Sequence, residues 1–96
     1  MSYLYVEQVA ATASVKDVDD LNIPNNATWA ELQADTQDVR YTMDGATNPT
    51  QTSGMVLLTT EDPSFFLIED VKQIKFVRGA GSNGNLNLSY GAGRDV

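Results

Sequence analysis

The chain contains no cysteine and no histidine among its 96 residues. Without cysteine, a disulfide framework, a thiol nucleophile and a zinc site built on Cys and His are all excluded. Without histidine, a Ser-His-Asp triad is excluded as well, because no imidazole is present to take the proton from a serine. The fold must therefore be held together by packing and hydrogen bonding, without covalent cross-links.

Positive charge is also scarce, with six Lys and Arg against thirteen Asp and Glu, a formal net charge of −7. Phosphate neutralisation needs a basic surface, so nonspecific binding to DNA or RNA is not expected. No apolar run approaches the roughly 20 residues of a membrane-spanning helix. Residues 1–7 lack the basic start and long apolar core of a secretion signal. We expect neither a nucleic acid nor a membrane as a partner.

What the sequence does contain is a series of short apolar segments separated by turn residues. Turn signals spaced roughly every 8–12 residues are typical of β-sandwiches and barrels. We predict an all-β fold, a single small antiparallel β-sandwich over residues 1–96, immunoglobulin-like or jelly-roll-like. Residues 1–11 would form an N-terminal strand or arm, and 91–96 a flexible tail. About seven strands are predicted, near 3–11, 27–36, 39–43, 55–59, 65–68, 74–78 and 85–90.

The stretch from Val39 to Thr50 predicts the central strand and a corner of this sandwich. Apolar and polar residues alternate from Val39 to Asp44, which is the period of a strand with one buried face. Gly45 then tolerates the positive φ that a tight turn often needs. The Asp44 side chain can accept backbone N–H bonds from the following loop in an Asx-turn. We interpret this stretch as scaffold.

Residues 27–36 are compatible with two structures. The pattern from Thr28 to Glu31 has the form of a helix capping box. Apolar residues at 30, 32 and 34 alternate with polar ones, which favours a strand. We predict the strand, leading into Val39 by a hairpin or by a bend between sheets. Trp29 would be a partly buried core aromatic, with a ligand-stacking platform as the less favoured alternative.

The same alternation predicts the core. The aromatic residues fall mostly on core positions, so little clustering of exposed aromatics is expected. The predicted core residues are Val6, Leu32, Val39, Tyr41, Leu57, Phe66, Ile68, Ile74, Phe76, Leu86 and Leu88.

No constellation of residues predicts catalysis or a cofactor. The glycine-rich segment 79–84 is followed by a strand and by no lysine, so it is neither a dinucleotide loop nor a P-loop; we predict a hairpin loop. The acidic run 16–20 lacks the glycine and distal glutamate of an EF-hand. Other carboxylates stand at turns or on polar faces and are expected to be solvated. We predict no catalytic, cofactor-binding or metal-binding residue and no enzymatic activity.

The segment Val39-Arg40-Tyr41-Thr42-Met43-Asp44-Gly45, followed by Pro49-Thr50 and Ser53-Gly54, resembles a corner of immunoglobulin-like modules in bacterial glycosidases of the chitobiase type. The resemblance covers roughly residues 39 to 77 and includes a later strand similar to Ile74-Lys75-Phe76. One extra residue stands between Gly45 and Pro49 in this chain. This resemblance implies an immunoglobulin-like sandwich.

A second resemblance covers about residues 27 to 90 and is preferred for that reason. The run from Gln33 to Tyr41, Gln-Ala-Asp-Thr-Gln-Asp-Val-Arg-Tyr, is similar to a segment of small tailed-bacteriophage virion proteins. They continue, as this chain does, with Asp-Gly, Pro-Thr, Gly-Met, an Ile-Lys-Phe strand and a final strand. The resemblance implies a β-sandwich of the capsid decoration (cement) or head-completion type, with no catalytic residues.

These features predict a capsid decoration protein on the virion surface, whose partners are the major capsid protein and copies of itself. A trimer would suit a local three-fold position. The alternatives are a carbohydrate- or receptor-binding module, with Trp29 and Tyr41 or Tyr90 as exposed aromatics, and a head–tail connector component. The N-terminal strand is apolar on both faces, and the loop 48–53 is a second contact. The predicted contact residues are Tyr3, Leu4, Tyr5, Val6, Asn48, Pro49 and Thr50.

Overall fold

The computed structural model describes residues 2–93, which form two four-stranded antiparallel sheets. A 3-10 turn, Val18–Asp20, follows the second strand, and a short helix, α1, covers Ile68–Val71. The strands are β1 Ser2–Ala11, β2 Lys16–Asp17, β3 Trp29–Asp35, β4 Val39–Thr42, β5 Met55–Leu57, β6 Ser64–Leu67, β7 Lys75–Arg78 and β8 Gly84–Ala92.

The strand order identifies the topology. The first sheet has the order β1-β8-β3-β6 and the second has β2-β7-β4-β5. Strands therefore pair as β1 with β8, β2 with β7, β3 with β6 and β4 with β5. This nested pairing is that of one long hairpin wrapped over itself, which is the arrangement of a jelly roll. The predicted antiparallel β-sandwich is confirmed, and of the two topologies considered the chain adopts the jelly roll.

The core lies between the sheets and follows the period-two pattern. In the first sheet, Leu32, Leu86 and Leu88 point inward and are fully buried. Tyr41 of the second sheet and Phe66 of the first meet edge to face, with ring centroids 5.8 Å apart. The remaining predicted core residues are likewise buried or packed against the core, with one exception. Val6 is 64% exposed, because it lies opposite Ser89 on the outward face of an edge strand.

Residues 29–35 form the predicted strand, and their connection to β4 is a bend between sheets, since β3 and β4 belong to different sheets. Thr36 takes a positive φ of 72° at this bend. The loop 79–84 also joins the two sheets, because β7 lies in the second and β8 in the first. The prediction of a hairpin loop there was wrong: a nested topology sends the chain across the sandwich at this point.

The Asp44 corner has the predicted geometry. One oxygen of its carboxylate, Oδ1, accepts hydrogen bonds from the backbone N–H groups of Ala46 and Thr47, at 2.9 and 2.8 Å. The other, Oδ2, accepts from the Thr47 hydroxyl at 2.6 Å. These bonds lower the pKa of Asp44 to about 2, and the bond from the Thr47 hydroxyl has the largest effect. The Asx-turn is confirmed, and β4 lies between β7 and β5 as a central strand.

Three local features were missed or misplaced by the sequence analysis. The acidic run 16–20 contains β2 and the 3-10 turn, capped by Asp17, whose side chain accepts from the Asp19 N–H. Helix α1 occupies a segment expected to be a strand end and a turn. Strand β8 continues through Ala92, two residues into the segment predicted as a tail; residues 94–96 lie outside the described part of the chain.

Candidate functional site

The candidate site begins at the free edge of the first sheet. Strand β1 has 10 residues and pairs on one side, with β8. The predicted contact residues Tyr3, Leu4, Tyr5 and Val6 are all exposed along it. The other edge strands of residues 2–93 are shorter, with two residues in β2, three in β5 and four in β6.

The pairing register extends this edge into a surface on the outer face of the first sheet. Residues paired directly across antiparallel strands project to the same face. One cross-strand row runs Tyr3, Gly91, Trp29, Leu67. The next row runs Val6, Ser89, Glu31, Phe65. We call the apolar members of these two rows the outer patch: Tyr3, Val6, Trp29, Phe65 and Leu67.

Trp29 is the centre of the outer patch and is only 2% exposed. The Tyr3 ring meets it edge to face with centroids 5.2 Å apart, and the Phe65 ring stacks on it at 5.7 Å. Its Nε1–H donates to the Gly93 carbonyl at 2.9 Å. Trp29 was predicted as a partly buried core aromatic. It is buried more completely than that, and on the opposite face, because other side chains of the outer face cover it.

Gly91 makes this arrangement possible. The indole lies directly against the Gly91 backbone, so that a β-carbon at this position would overlap ring atoms of Trp29. Since Gly91 and Trp29 are paired across β8 and β3, a side chain at 91 would occupy the place of the ring. The absence of a side chain therefore lets the indole lie flat on the sheet.

The rest of the outer patch is exposed, with Tyr3 at 59%, Phe65 at 54% and Leu67 at 51%. Phe65 and Leu67 were not among the predicted contact residues. A signal for them exists in the sequence: Phe65 to Ile68 are four consecutive apolar residues, and a strand must point half of such a run outward. The sequence alone could not show whether both faces of this strand are buried, because its position at the edge of the sheet is a property of the tertiary structure.

Two carboxylates of the first sheet accept hydrogen bonds within the molecule, Glu31 on the outer face and Glu7 on the inward face. Glu31 accepts a hydrogen bond from the Tyr3 hydroxyl at 3.0 Å, and this bond raises the pKa of Tyr3. Glu7 accepts from the Tyr90 hydroxyl at 2.6 Å and from the backbone N–H and side-chain amide of Asn22 at 2.9 and 3.0 Å. Burial is the largest cause that raises the pKa of Tyr90, and the hydrogen bond to Glu7 raises it further. The carboxylate next to the outer patch, that of Glu31, thus already has an internal partner.

Further along the same face the surface becomes polar. The Gln8 amide donates to Asn87 Oδ1 at 2.9 Å and to Asp35 Oδ2 at 3.3 Å. The Gln33 amide donates to the Glu61 carbonyl at 3.3 Å. The outer face of the first sheet therefore has an apolar end, the outer patch, and an end of amides and carboxylates.

The second predicted contact, the loop 48–53, lies beside the second sheet and away from the outer patch in the pairing scheme. Thr50 and Ser53 form an isolated bridge that closes this loop. Asn48 and Thr50 are exposed, but Pro49 is buried, and its β-carbon lies close to Gly54. Of the three residues predicted in this loop, Pro49 is thus not available to a partner.

The aromatics named for the binding-module alternative do not form a surface together. Tyr90 is fully buried on the inward face, where the Tyr5 ring stacks on it at 6.2 Å. Tyr41 packs against Phe66 in the core. The expectation of little aromatic clustering on the surface was also wrong, since Tyr3, Trp29 and Phe65 form a cluster on the outer face.

Two further properties of the described residues bear on function. Nowhere in 2–93 do three or more acidic side chains come together as a metal site would need. No helix in that range is long and apolar enough to cross a membrane. Comparisons with protein-family models, with curated proteins and with solved structures gave no match.

Proposed function

We propose that this protein is a non-enzymatic structural protein of a tailed-phage particle, a capsid decoration protein that binds the outer capsid lattice and stabilises it. The observation that carries the proposal is the outer patch, where Tyr3, Val6, Phe65 and Leu67 are each more than half exposed. Contiguous exposed apolar patches bordered by polar residues are typical of protein interaction surfaces. The resemblance over residues 27–90 supplies the class of particle.

The proposed mechanism is mechanical. A jelly roll is a rigid unit, and the outer patch stands on paired strands, so it can dock without reordering a loop. The major capsid protein covers the apolar patch, and copies of the chain contact each other at the free edge of β1. Jelly rolls are common in viral capsid proteins, and this analogy of fold supports the same class of particle.

The test is co-sedimentation of the purified protein with empty capsids of the phage that encodes it. We expect the wild type to pellet with capsids and the variant Phe65→Ser/Leu67→Ser to lose most of this binding. The matched control is Met55→Ser/Leu58→Ser, which removes two exposed apolar side chains from the second sheet and its following turn. No association of the wild type with capsids would overturn the proposal.

A second candidate function, carbohydrate binding, is favoured by one observation. The exposed ring of Phe65 lies in the cross-strand row that contains Ser89 and Glu31, and the ring of Tyr3 lies in the neighbouring row. On the other side of the Ser89 row, the following row contains Gln33 and Asn87. Aromatic faces beside a few fixed polar groups are the usual composition of a small-ligand site. Retention on a glycan array, lost in Phe65→Ser and combined with no capsid binding, would favour this function over decoration.

A further inference from the structure

We propose that two copies of this chain associate by antiparallel pairing of β1 with β1 of the second copy. The product is a continuous eight-stranded sheet in which the two first sheets are joined edge to edge. The inference rests on the self-association part of the proposed function and not on capsid binding. The inference concerns main-chain hydrogen bonding between two β1 edges. Docking through the outer patch alone would not need this pairing.

The edge of β1 is long and unpaired. An unpaired edge presents a row of N–H and C=O groups, and natural edges are blunted by shortness, Lys, Pro, inward-pointing charge or bulges. β1 is ten residues long and contains neither Lys nor Pro. It has one inward-pointing charge, Glu7, whose carboxylate is hydrogen-bonded to Tyr90 and Asn22 of its own molecule. Its irregularity is a register shift between Tyr3 and Tyr5, which leaves Tyr5–Ala11 as a regular segment. By contrast, β6 has four residues and directly follows Pro63.

A second copy is the partner that matches this edge. Pairing along the whole regular segment needs a free strand of similar length. Within residues 2–93 the other edge strands have at most four residues, so β1 of another copy is the strand in this chain that fits. Such a contact is isologous and closes after two copies, so that it does not grow into a filament.

The edge of β1 carries little of the chain's negative charge. Two molecules that each carry −7 repel one another. Within the described part of β1 the charged residue is Glu7, and its carboxylate faces inward, bound to Tyr90 and Asn22. Each approaching edge therefore brings one carboxylate, which is hydrogen-bonded to neutral donors of its own molecule.

The faces of the strands restrict the register. Val6, Gln8 and Ala10 pair with Ser89, Asn87 and Asn85 on the outward side of β8. A continuous sheet requires outward residues opposite outward residues. Full overlap of Tyr5–Ala11 with itself then places Gln8 opposite Gln8 of the second copy and Val6 opposite its Ala10. A shift that placed Glu7 opposite Glu7 would be disfavoured by like charges.

The first experiment uses the natural absence of cysteine. In the variant Gln8→Cys the two new thiols lie at the two-fold axis, and directly opposed residues have Cα atoms about 4.5–5.5 Å apart, within disulfide range. We expect mild oxidation to link most chains into dimers. The control Gln51→Cys, in an exposed turn on the other sheet, should remain unlinked at the same concentration. Equal linking of both variants would overturn the proposed pairing.

The second experiment tests the register by charge. Val6→Lys/Ala10→Lys places like charges opposite each other twice in the dimer, and we expect its dissociation constant to rise about tenfold. Val6→Lys/Ala10→Glu places opposite charges there and should keep the wild-type constant or lower it. Both residues are exposed, so the monomer fold should tolerate either change. The measurement is sedimentation equilibrium.

The outcomes separate this inference from the proposed function. A wild type that remains monomeric, forms trimers, or dimerises equally well in both charge variants overturns the β1 pairing. Capsid binding is decided by co-sedimentation, in which Phe65→Ser/Leu67→Ser leaves the β1 edge unchanged. A dimer that ignores capsids would overturn decoration while supporting the edge pairing.

Discussion

At the scale of single residues, the environment of Trp29 depends on a neighbour without a side chain. The indole covers Gly91 and is covered in turn by Tyr3 and Phe65. It is also the one tryptophan of the chain. Its emission, excited selectively over that of the tyrosines, therefore reports on the environment of the outer patch.

Replacement of Gly91 by alanine should lift the indole from the sheet. The added β-carbon would overlap the ring, and such overpacking costs about 1–3 kcal/mol of unfolding free energy. We expect lower stability in urea and a red-shifted Trp29 emission as the ring becomes solvated. Gly81→Ala is the control, because a β-carbon there meets no atom within 4 Å. Unchanged emission in Gly91→Ala would contradict the packing described for Trp29.

The Tyr90 hydroxyl gives a second prediction at this scale. It donates to Glu7 across β8 and β1, and a hydrogen bond to a charged group contributes about 1.5–3 kcal/mol. Because Glu7 is not fully buried, we expect Tyr90→Phe to lower the unfolding free energy by about 1–2 kcal/mol in urea titrations. Tyr5→Phe, at an exposed residue, should change it by less. Equal effects of the two substitutions would contradict a specific role for the Tyr90–Glu7 bond.

Asp44 gives a pH dependence. Its pKa is about 2 in the folded protein against an ordinary 3.8, so its hydrogen bonds favour the folded state above the unfolded pKa. This contribution is lost as the pH falls through 4 towards 2. We expect the stability of the wild type to fall more than that of Asp44→Asn between pH 5 and pH 2. Parallel curves of stability against pH for the two proteins would contradict the bonding at this corner. The variant Asp62→Asn is the control for the loss of a surface carboxylate.

At the scale of the elements, β1 is a strand of the first sheet and also the proposed contact edge. It pairs with β8 from Ser2 to Ala11, and it contributes Glu7 to the bonds with Tyr90 and Asn22. Of the two forms predicted for residues 1–11, a strand or an arm, the described residues therefore form a strand of the first sheet. Its contact function has to be separated from its structural function by substitution.

Deletion of residues 1–8 should therefore unfold or strongly destabilise the protein, because it exposes the edge of β8 and the buried side chains beneath. Val6→Ser keeps the strand and removes only an exposed side chain, so we expect its melting temperature to stay within a few degrees of the wild type. Circular dichroism on heating measures both. A truncated chain that melts like the wild type would show that β1 is dispensable for the fold.

At the scale of the whole molecule, net charge and apolar surface oppose each other. Copies that carry −7 repel at long range, while the proposed contacts at the edge and the outer patch act only at short range. Salt screens the repulsion, with a Debye length of about 10 Å at 0.1 M, and leaves main-chain pairing largely unaffected.

Self-association should therefore strengthen as salt is added. We expect the dimer dissociation constant from sedimentation equilibrium to fall several-fold between about 20 mM and about 300 mM NaCl. A rise over the same range would indicate that ion pairs hold the copies together, contrary to the proposed edge. The variant Val6→Lys/Ala10→Glu is a useful comparison, since its introduced ion pairs should weaken in salt.

The sequence by itself determined seven of the eight strands, the inward-facing residues of most of them, and that Asp44 closes a turn. Those properties depend on the alternation of side chains and on hydrogen bonds between residues a few positions apart, and such information is local. The segment 27–36 illustrates this, since its alternation outweighed the capping-box pattern at its start and it forms β3.

Only the tertiary structure decided the jelly-roll order and the place of the candidate site. Tyr3, Trp29, Phe65 and Gly91 are separated by more than twenty residues each, and they meet because β1, β8, β3 and β6 lie side by side. That order follows from how the whole chain wraps, which local alternation does not encode. For the same reason the sequence could not show that Trp29, an apolar residue, is buried on the outer face of the sheet and not between the two sheets.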